Sequence, residues 1–242
     1  MLDFAAIVLA AGQGKRMRSD LPKPLVPVAG EAIIQHLLRA IAHAGVDQVA
    51  VVVGHGADEM RAALGPQYPT PLQEVLNGTA HAVDVAHAAI QDAKSVFVFV
   101  GDSPLLRADS IRALAERHRA TGAGCTFLTS DFEQHFPYAR VIRDQEGRVA
   151  ACVEERDCTP EQACITEYLT SHFLFDGPAL WPILERVKPH PVTGERYLTD
   201  VIGLMLDDGH GVEAVSIADW RELVGLNTPE DVAWAEDVLA NG

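Results

Sequence analysis

The chain has 242 residues, 48% of them apolar and 22% charged, which is ample length and ordinary composition for a soluble protein with a sizeable core. Its 19 Lys and Arg stand against 34 Asp and Glu, and the net charge of −15 excludes the basic footprint of a nucleic-acid binder. An anionic small substrate is not excluded, because a local cationic loop acts within a Debye length of about 8 Å. No apolar run approaches the ~20 residues of a membrane span and no signal-peptide pattern is seen, so the cytoplasm is the expected compartment.

An apolar strand over 4–9 feeds a loop of small residues, Ala10-Ala11-Gly12-Gln13-Gly14, followed by Lys15, Arg16 and then Lys23. Bare backbone N–H groups backed by cations suit a polyphosphate. The loop has neither the P-loop spacing nor the three-glycine dinucleotide fingerprint. Further on, an amphipathic stripe of Ile33, Ile34, Leu37, Leu38 and Ile41 predicts a helix over 31–44. The remaining patterns predict a strand over 48–53, a helix over 57–64, a short strand over 71–75, a helix over 79–90 and an apolar strand over 95–100. A helix over 108–120 and a strand over 124–129 follow. Apolar strands alternating with helices define an α/β fold, a mainly parallel sheet covered on both faces, with the loop after each strand gathered at one edge. The Gly12 loop and the loop at Gly101-Asp102-Ser103-Pro104 are therefore expected to line one crevice.

The second half changes style. Strands over 139–143 and 148–153 flank Asp144-Gln145-Glu146-Gly147, a hairpin signal. A strand over 170–175, a helix over 177–187 and a strand over 212–217 follow. Thr228-Pro229-Glu230-Asp231 reads as N-cap, proline at N1 and acid at N3 of a terminal helix. No internal repeat or linker divides the chain.

Several residues admit two readings. Asp102 is either an Asx-type turn residue or a hard-metal ligand of the kind that magnesium shares with substrate phosphates. Asn227 is either a helix cap or, since Thr228 already fills that role, free for other work. Gln73, Gly78 and Thr79 form either a plain strand-to-helix connection or a set of donors able to read an amide-like base edge. Glu154 and Glu155 end the hairpin, where paired acids are ordinarily solvated. His55, His81 and His172 sit near strand ends or helix starts, and no nucleophilic triad can be assembled from the spacing. Cys125, Cys152, Cys158 and Cys164 fit no common zinc spacing and read as buried thiols.

In order, Leu9-Ala10-Ala11-Gly12-x-Gly14-x-Arg16-Met17, Leu21-Pro22-Lys23, Gln73 with Gly78-Thr79-Ala80-His81-Ala82, Gly101-Asp102-x-Pro104-Leu105, Glu154, Tyr197-Leu198-Thr199-Asp200 and Asn227 span nearly the whole chain. With these motifs it resembles the sugar-1-phosphate nucleotidyltransferases, most closely the N-terminal uridylyltransferase domain of the GlmU family. The resemblance implies a Rossmann-like, nucleotide-diphospho-sugar transferase fold with an inserted hairpin subdomain. It would form one unit over 1–242, with a nucleotide half (1–130), a sugar half (131–227) and a C-terminal helix (228–242). It implies that Leu9, Ala10, Ala11, Gly12 and Gly14 hold UTP, that Arg16 and Lys23 bind its phosphates, and that Gln73, Gly78 and Thr79 read the base. Asp102 and Asn227 would ligate Mg2+. Ala139, Glu154 and the position of Leu169 would face a sugar 1-phosphate.

Three positions depart from the family pattern: Val100 replaces a tyrosine, Ala139 a glycine, and Leu169 an asparagine that contacts the sugar. All lie on the sugar side, so a sugar other than N-acetylglucosamine, or one held differently, is expected. The bifunctional relatives continue into an acetyltransferase module; the chain stops at Gly242, so no acetyltransferase activity is expected and the oligomeric state is open. A guanylyl- or cytidylyltransferase on the same fold, and a non-catalytic nucleotide-binding regulator, are the competing readings.

Overall fold

The computed structural model describes residues 3–241. Strand β1 (Phe4–Leu9) leads through two 3-10 turns (Lys15–Met17 and Lys23–Leu25) into a two-stranded ribbon, β2 (Pro27–Val28) and β3 (Glu31–Ala32). Helix α1 (Ile33–His43) follows directly. It starts two residues later than the stripe predicts, because Glu31 and Ala32 are spent pairing with β2. Next come β4 (Gln48–Val52), α2 (Ala57–Leu64), α3 (Thr79–Val85), α4 (His87–Ile90), β5 (Ser95–Val100), α5 (Ala108–Thr121) and β6 (Cys125–Asp131). The helix expected over 79–90 is thus two short pieces, with i→i+3 bonds from Ala86 to Val83 and from Ala89 to Ala86 at the join.

The second half supplies the hairpin β7 (Ala139–Arg143) and β8 (Val149–Val153), a short turn of helix α6 (Pro160–Ala163), and the long β9 (Glu167–Asp176). It closes with α7 (Gly177–Arg186), α8 (Asp200–Asp207), β10 (Val212–Ser216) and α9 (Pro229–Asn241). Helix α9 opens on the expected capping arrangement: the Asp231 amide donates to Thr228 Oγ1 (3.2 Å) and the Thr228 amide to Asp231 Oδ2 (2.9 Å).

The sheet runs β10-β6-β9-β5-β1-β4, with β7 also pairing β9 and carrying β8. It is mixed. β1 is parallel to β4 and β5, and β10 to β6, but β9 runs antiparallel between β5 and β6. Register sets the site: Leu9 pairs with Val100 on one side and with Val52 on the other, so three loops leave the sheet at one height.

Side chains alternate between two cores, as expected for strands covered on both faces. Ala5 and Ile7 face the core under α3, α7 and α8, whereas Phe4, Ala6 and Val8 face the one under α1, α2 and α5. β9 slips register against β6 between Phe127 and Thr129, and Ser171 within that slip holds a left-handed φ of 65°.

The strand expected over 71–75 is a single bridge from Leu72 to Val53. Proline explains it: Pro69 and Pro71 accept from the Val51 and Val53 amides (2.9 Å each), but have no N–H with which to extend a ladder.

Candidate active site

A cavity of about 320 Å³ opens over the carboxyl ends of β1 and β5. Leu9, Ala10, Ala11 and Gly12 form one wall and Val100, Gly101 and Asp102 another, so the two predicted loops do share a crevice. The first loop is tied to both neighbouring strands. The Ala10 amide donates to the Val52 carbonyl, the Gly101 amide to that of Leu9 (2.9 Å each), and the His55 amide to that of Ala11 (3.2 Å). The amides of Ala11, Gly12 and Gln13 have no partner among the described residues. They are therefore available to an anion.

The cations converge as expected. Lys23 lines the cavity, its Nζ 2.5 Å from Asp102 Oδ2 and 3.2 Å from Asn227 Oδ1, with only 15% of its side chain exposed. Arg16 donates to the same Asn227 oxygen at 3.0 Å. Gly14 lies under the Lys23 stem, where a Cβ would meet Lys23 Cβ at 2.6 Å. Two residues 125 positions apart thus present hard oxygen donors to one point. That suits a magnesium ion completing its shell with substrate phosphates and water. Asn227 is aimed by its own amide, which donates to the Gly225 carbonyl at 2.9 Å.

Gln73, Gly78 and Thr79 line the opposite wall. Gln73 is buried, and its Nε2 donates to the Gly78 carbonyl (3.0 Å) and lies 3.2 Å from His81 Nδ1. Gly78 has φ +87°, and a Cβ there would sit 2.4 Å from the Arg196 carbonyl oxygen. Thr79 Oγ1 accepts from the Leu198 amide at 2.9 Å, so this wall is clamped to the segment that brings Glu195 and Tyr197 to the cavity.

In the second half of the chain, Glu154 follows β8 and accepts from the Thr199 hydroxyl. Burial pushes its carboxyl above the ordinary range, partly offset by that bond. The acids are not a solvated pair, because Glu155 pairs with Arg140, whose side chain is fully buried and lies over the Tyr168 ring at 4.2 Å. Ala139 and Leu169 are cross-strand partners on β7 and β9, both buried in the core and neither lining the cavity wall. Tyr197 Oη, 2.8 Å from Thr193 Oγ1, was legible only as part of its motif; Leu76 and Glu195 carried no signal. Of the cysteines only Cys125 is buried, and Cys164 on the α6 turn is exposed, so the buried-thiol reading holds for one of them. Among the described residues no group of three or more His, Cys, Asp or Glu is placed to hold a metal, and no helix is long and apolar enough to cross a membrane.

A small-residue loop at the carboxyl end of β1, roofed by Lys23 and Arg16 and faced by the Asp102 and Asn227 oxygens, is the arrangement of an α/β NTP transferase fold. The chain belongs to the MobA-like NTP transferase domain family, which it matches over residues 6–211. It is 37% identical over 235 residues to the bifunctional protein GlmU of Staphylococcus carnosus, covering 97% of this chain and 52% of that protein. With the Pediococcus pentosaceus GlmU the identity is 41% over 222 residues, 91% of this chain and 48% of the relative. The chain spans about half the length of the curated relatives it matches. A Bacillus anthracis structure described as a glucose-1-phosphate thymidylyltransferase in complex with sucrose shares the fold. Its TM-score is 0.82 over 99% of this chain and 96% of that one, at 19% identity.

Proposed function

We propose that this chain is a sugar-1-phosphate uridylyltransferase, joining UTP and a sugar 1-phosphate into a UDP-sugar and pyrophosphate. A phosphate oxygen of the sugar 1-phosphate attacks the α-phosphorus of UTP in line, and the bond from that phosphorus to the pyrophosphate oxygen breaks. The nucleophile is already anionic near neutral pH, so the chain needs to supply alignment and charge neutralisation rather than a base. The observation that carries the reading is Lys23 Nζ set between Asp102 and Asn227 at the mouth of the Gly12 loop.

Lys23 and Arg16 neutralise the triphosphate, and the Ala11–Gln13 amides cradle it. Gln73 and Gly78 hold the base in a fixed wall, and Glu154 with Thr199 accepts the sugar hydroxyls. Asp102 and Asn227 would hold Mg2+, which when bound adds positive charge where pyrophosphate leaves. Val100, the one of the three departures that lines the cavity, offers no side-chain hydrogen bond from its wall. This supports an acceptor other than N-acetylglucosamine 1-phosphate, or one held through different contacts. Acting in the cytoplasm, the enzyme would supply nucleotide sugar for cell-envelope synthesis.

The test is pyrophosphate release over a grid of the four nucleoside triphosphates and a panel of sugar 1-phosphates, with and without Mg2+. UTP with one sugar phosphate is the expected productive pair. Turnover with another triphosphate alone would overturn the base assignment. Equal kcat/KM for N-acetylglucosamine 1-phosphate and all other sugars would overturn the acceptor argument. Tight nucleotide binding with no turnover anywhere would point to a regulator.

A further inference from the structure

Asp102 and Asn227 belong to segments with no sheet pairing between them, so something must hold residues 224–227 against the end of β5. One tie is the Leu226 amide, which donates to the Asp102 carbonyl at 2.9 Å. The other runs through Gly225. Its amide donates to the Tyr138 hydroxyl at 3.0 Å, and its carbonyl accepts from Asn227 Nδ2 at 2.9 Å. Gly225 is also pressed on Asp102: a Cβ there would lie 2.9–3.1 Å from the carboxylate atoms. One residue, Gly225, therefore lies against the first oxygen donor and aims the second, and Tyr138 holds it through its N–H.

Tyr138 is suited to this. Its ring stacks on Phe136 (centroids 5.5 Å apart, 4° between planes) and meets the edge of Phe132 at 5.9 Å, within a cluster that also holds Trp220. A ring so packed has little freedom, and its hydroxyl oxygen is a fixed point. Burial pushes its ionisation far up, so the hydroxyl stays neutral throughout the working range. It immediately precedes Ala139, the first residue of the β7–β8 hairpin, and so ties the sugar half to the Asp102–Asn227 pair.

We infer that Tyr138 is a positioning residue for metal binding: its hydroxyl fixes Gly225, which aims Asn227 Oδ1 and backs Asp102. The inference rests on the reading of Asp102 and Asn227 as magnesium ligands, and the experiment separates the two. Binding of the triphosphate that turns over in the grid above, UTP in our reading, is measured by calorimetry in Mg2+ and in EDTA. The tightening produced by Mg2+ is the coupling between ion and protein. Tyr138→Phe keeps the ring and removes only the oxygen. It should shrink that tightening about three- to tenfold, the worth of one lost hydrogen bond, and leave the EDTA affinity unchanged. Ile183→Ala, in the core under α7 and away from this aromatic cluster, should lower the melting temperature without moving the Mg2+ effect.

Equal Mg2+ coupling in wild type and Tyr138→Phe, with coupling lost in Asp102→Asn, would overturn the role of Tyr138 and leave the metal site standing. No Mg2+ coupling in the wild type, or full coupling in Asp102→Asn, would instead overturn the metal reading and the inference with it. Loss of coupling in Ile183→Ala to the same extent as in Tyr138→Phe would reduce the Tyr138 effect to a general loss of stability and overturn its positioning role.

Discussion

His172, on β9 beside the slipped register, is fully buried, 5.9 Å from the Phe99 ring, and neither ring nitrogen has a protein partner. Burial pushes its pKa from the ordinary 6.5 down to about 4. Between those values the unfolded chain takes up a proton that the folded chain refuses, so acid favours unfolding and stability rises with pH. The contribution is complete above 6.5 and lost as pH falls through 4. The gap is worth about 3 kcal/mol in full and about 2 kcal/mol at pH 5.

His172→Leu, close in volume, removes this term. Urea unfolding followed by tryptophan fluorescence at pH 8, 6.5 and 5 gives both stabilities. The variant should lie within about 1 kcal/mol of wild type at pH 8 and gain about 2 kcal/mol relative to it by pH 5. Taking the difference cancels other acid-sensitive groups, including Glu154 and Asp200, whose carboxyls burial pushes up. Parallel curves over that range would show that His172 titrates alike in both states and refute the reasoning.

Three further outcomes are expected. Lys23→Met leaves the Asp102 and Asn227 oxygens without their shared cation and should lower kcat for pyrophosphate release by about 100-fold or more, while Asp102→Asn should abolish Mg2+-dependent turnover. Gly78→Ala forces a Cβ onto the Arg196 backbone at positive φ, so it should cost about 2 kcal/mol or more in a thermal melt and weaken triphosphate binding at least about tenfold in calorimetry. Glu154→Gln keeps an acceptor for Thr199 but loses the charge. It should raise KM for the sugar phosphate about tenfold while the triphosphate KM stays put, and a change in both would move Glu154 off the sugar side.

Much of the architecture was legible because strand ends carry their own marks. β1, β5 and α2 run over the residues predicted, since apolar β-rich runs stopped by small residues and the punctuation around Ala57–Leu64 are local signals. The reversal of β9 was not legible, because strand direction is decided by which partners lie beside it. Helix α8 was passed over: Val201, Ile202, Leu204, Met205 and Leu206 make a short, almost continuous apolar run around Gly203, which periodicity alone does not separate from a buried strand. In the site, Lys23 and Asp102 followed from chemistry at a strand end. Tyr138 on Gly225 and Arg140 over Tyr168 could not follow from it, because each joins groups whose neighbourhood exists only after folding.

The proline-rich strap along β4 has a consequence for how the cavity wall at Gln73 and Gly78 tolerates change. Residues 69–73 are irregular to the eye, yet the Gln73 amide donates to the Val53 carbonyl at 2.8 Å and so shares the rigidity of the central sheet. Lengthening the chain before Pro69 would only enlarge a surface turn. Adding or removing one residue between Pro71 and Gly78 would instead rotate Gln73 out of the wall, since its side chain and the Gly78 carbonyl must meet at 3.0 Å. Along this strap, insertions should divide sharply at Pro69 into those the protein ignores and those that cost it its nucleotide.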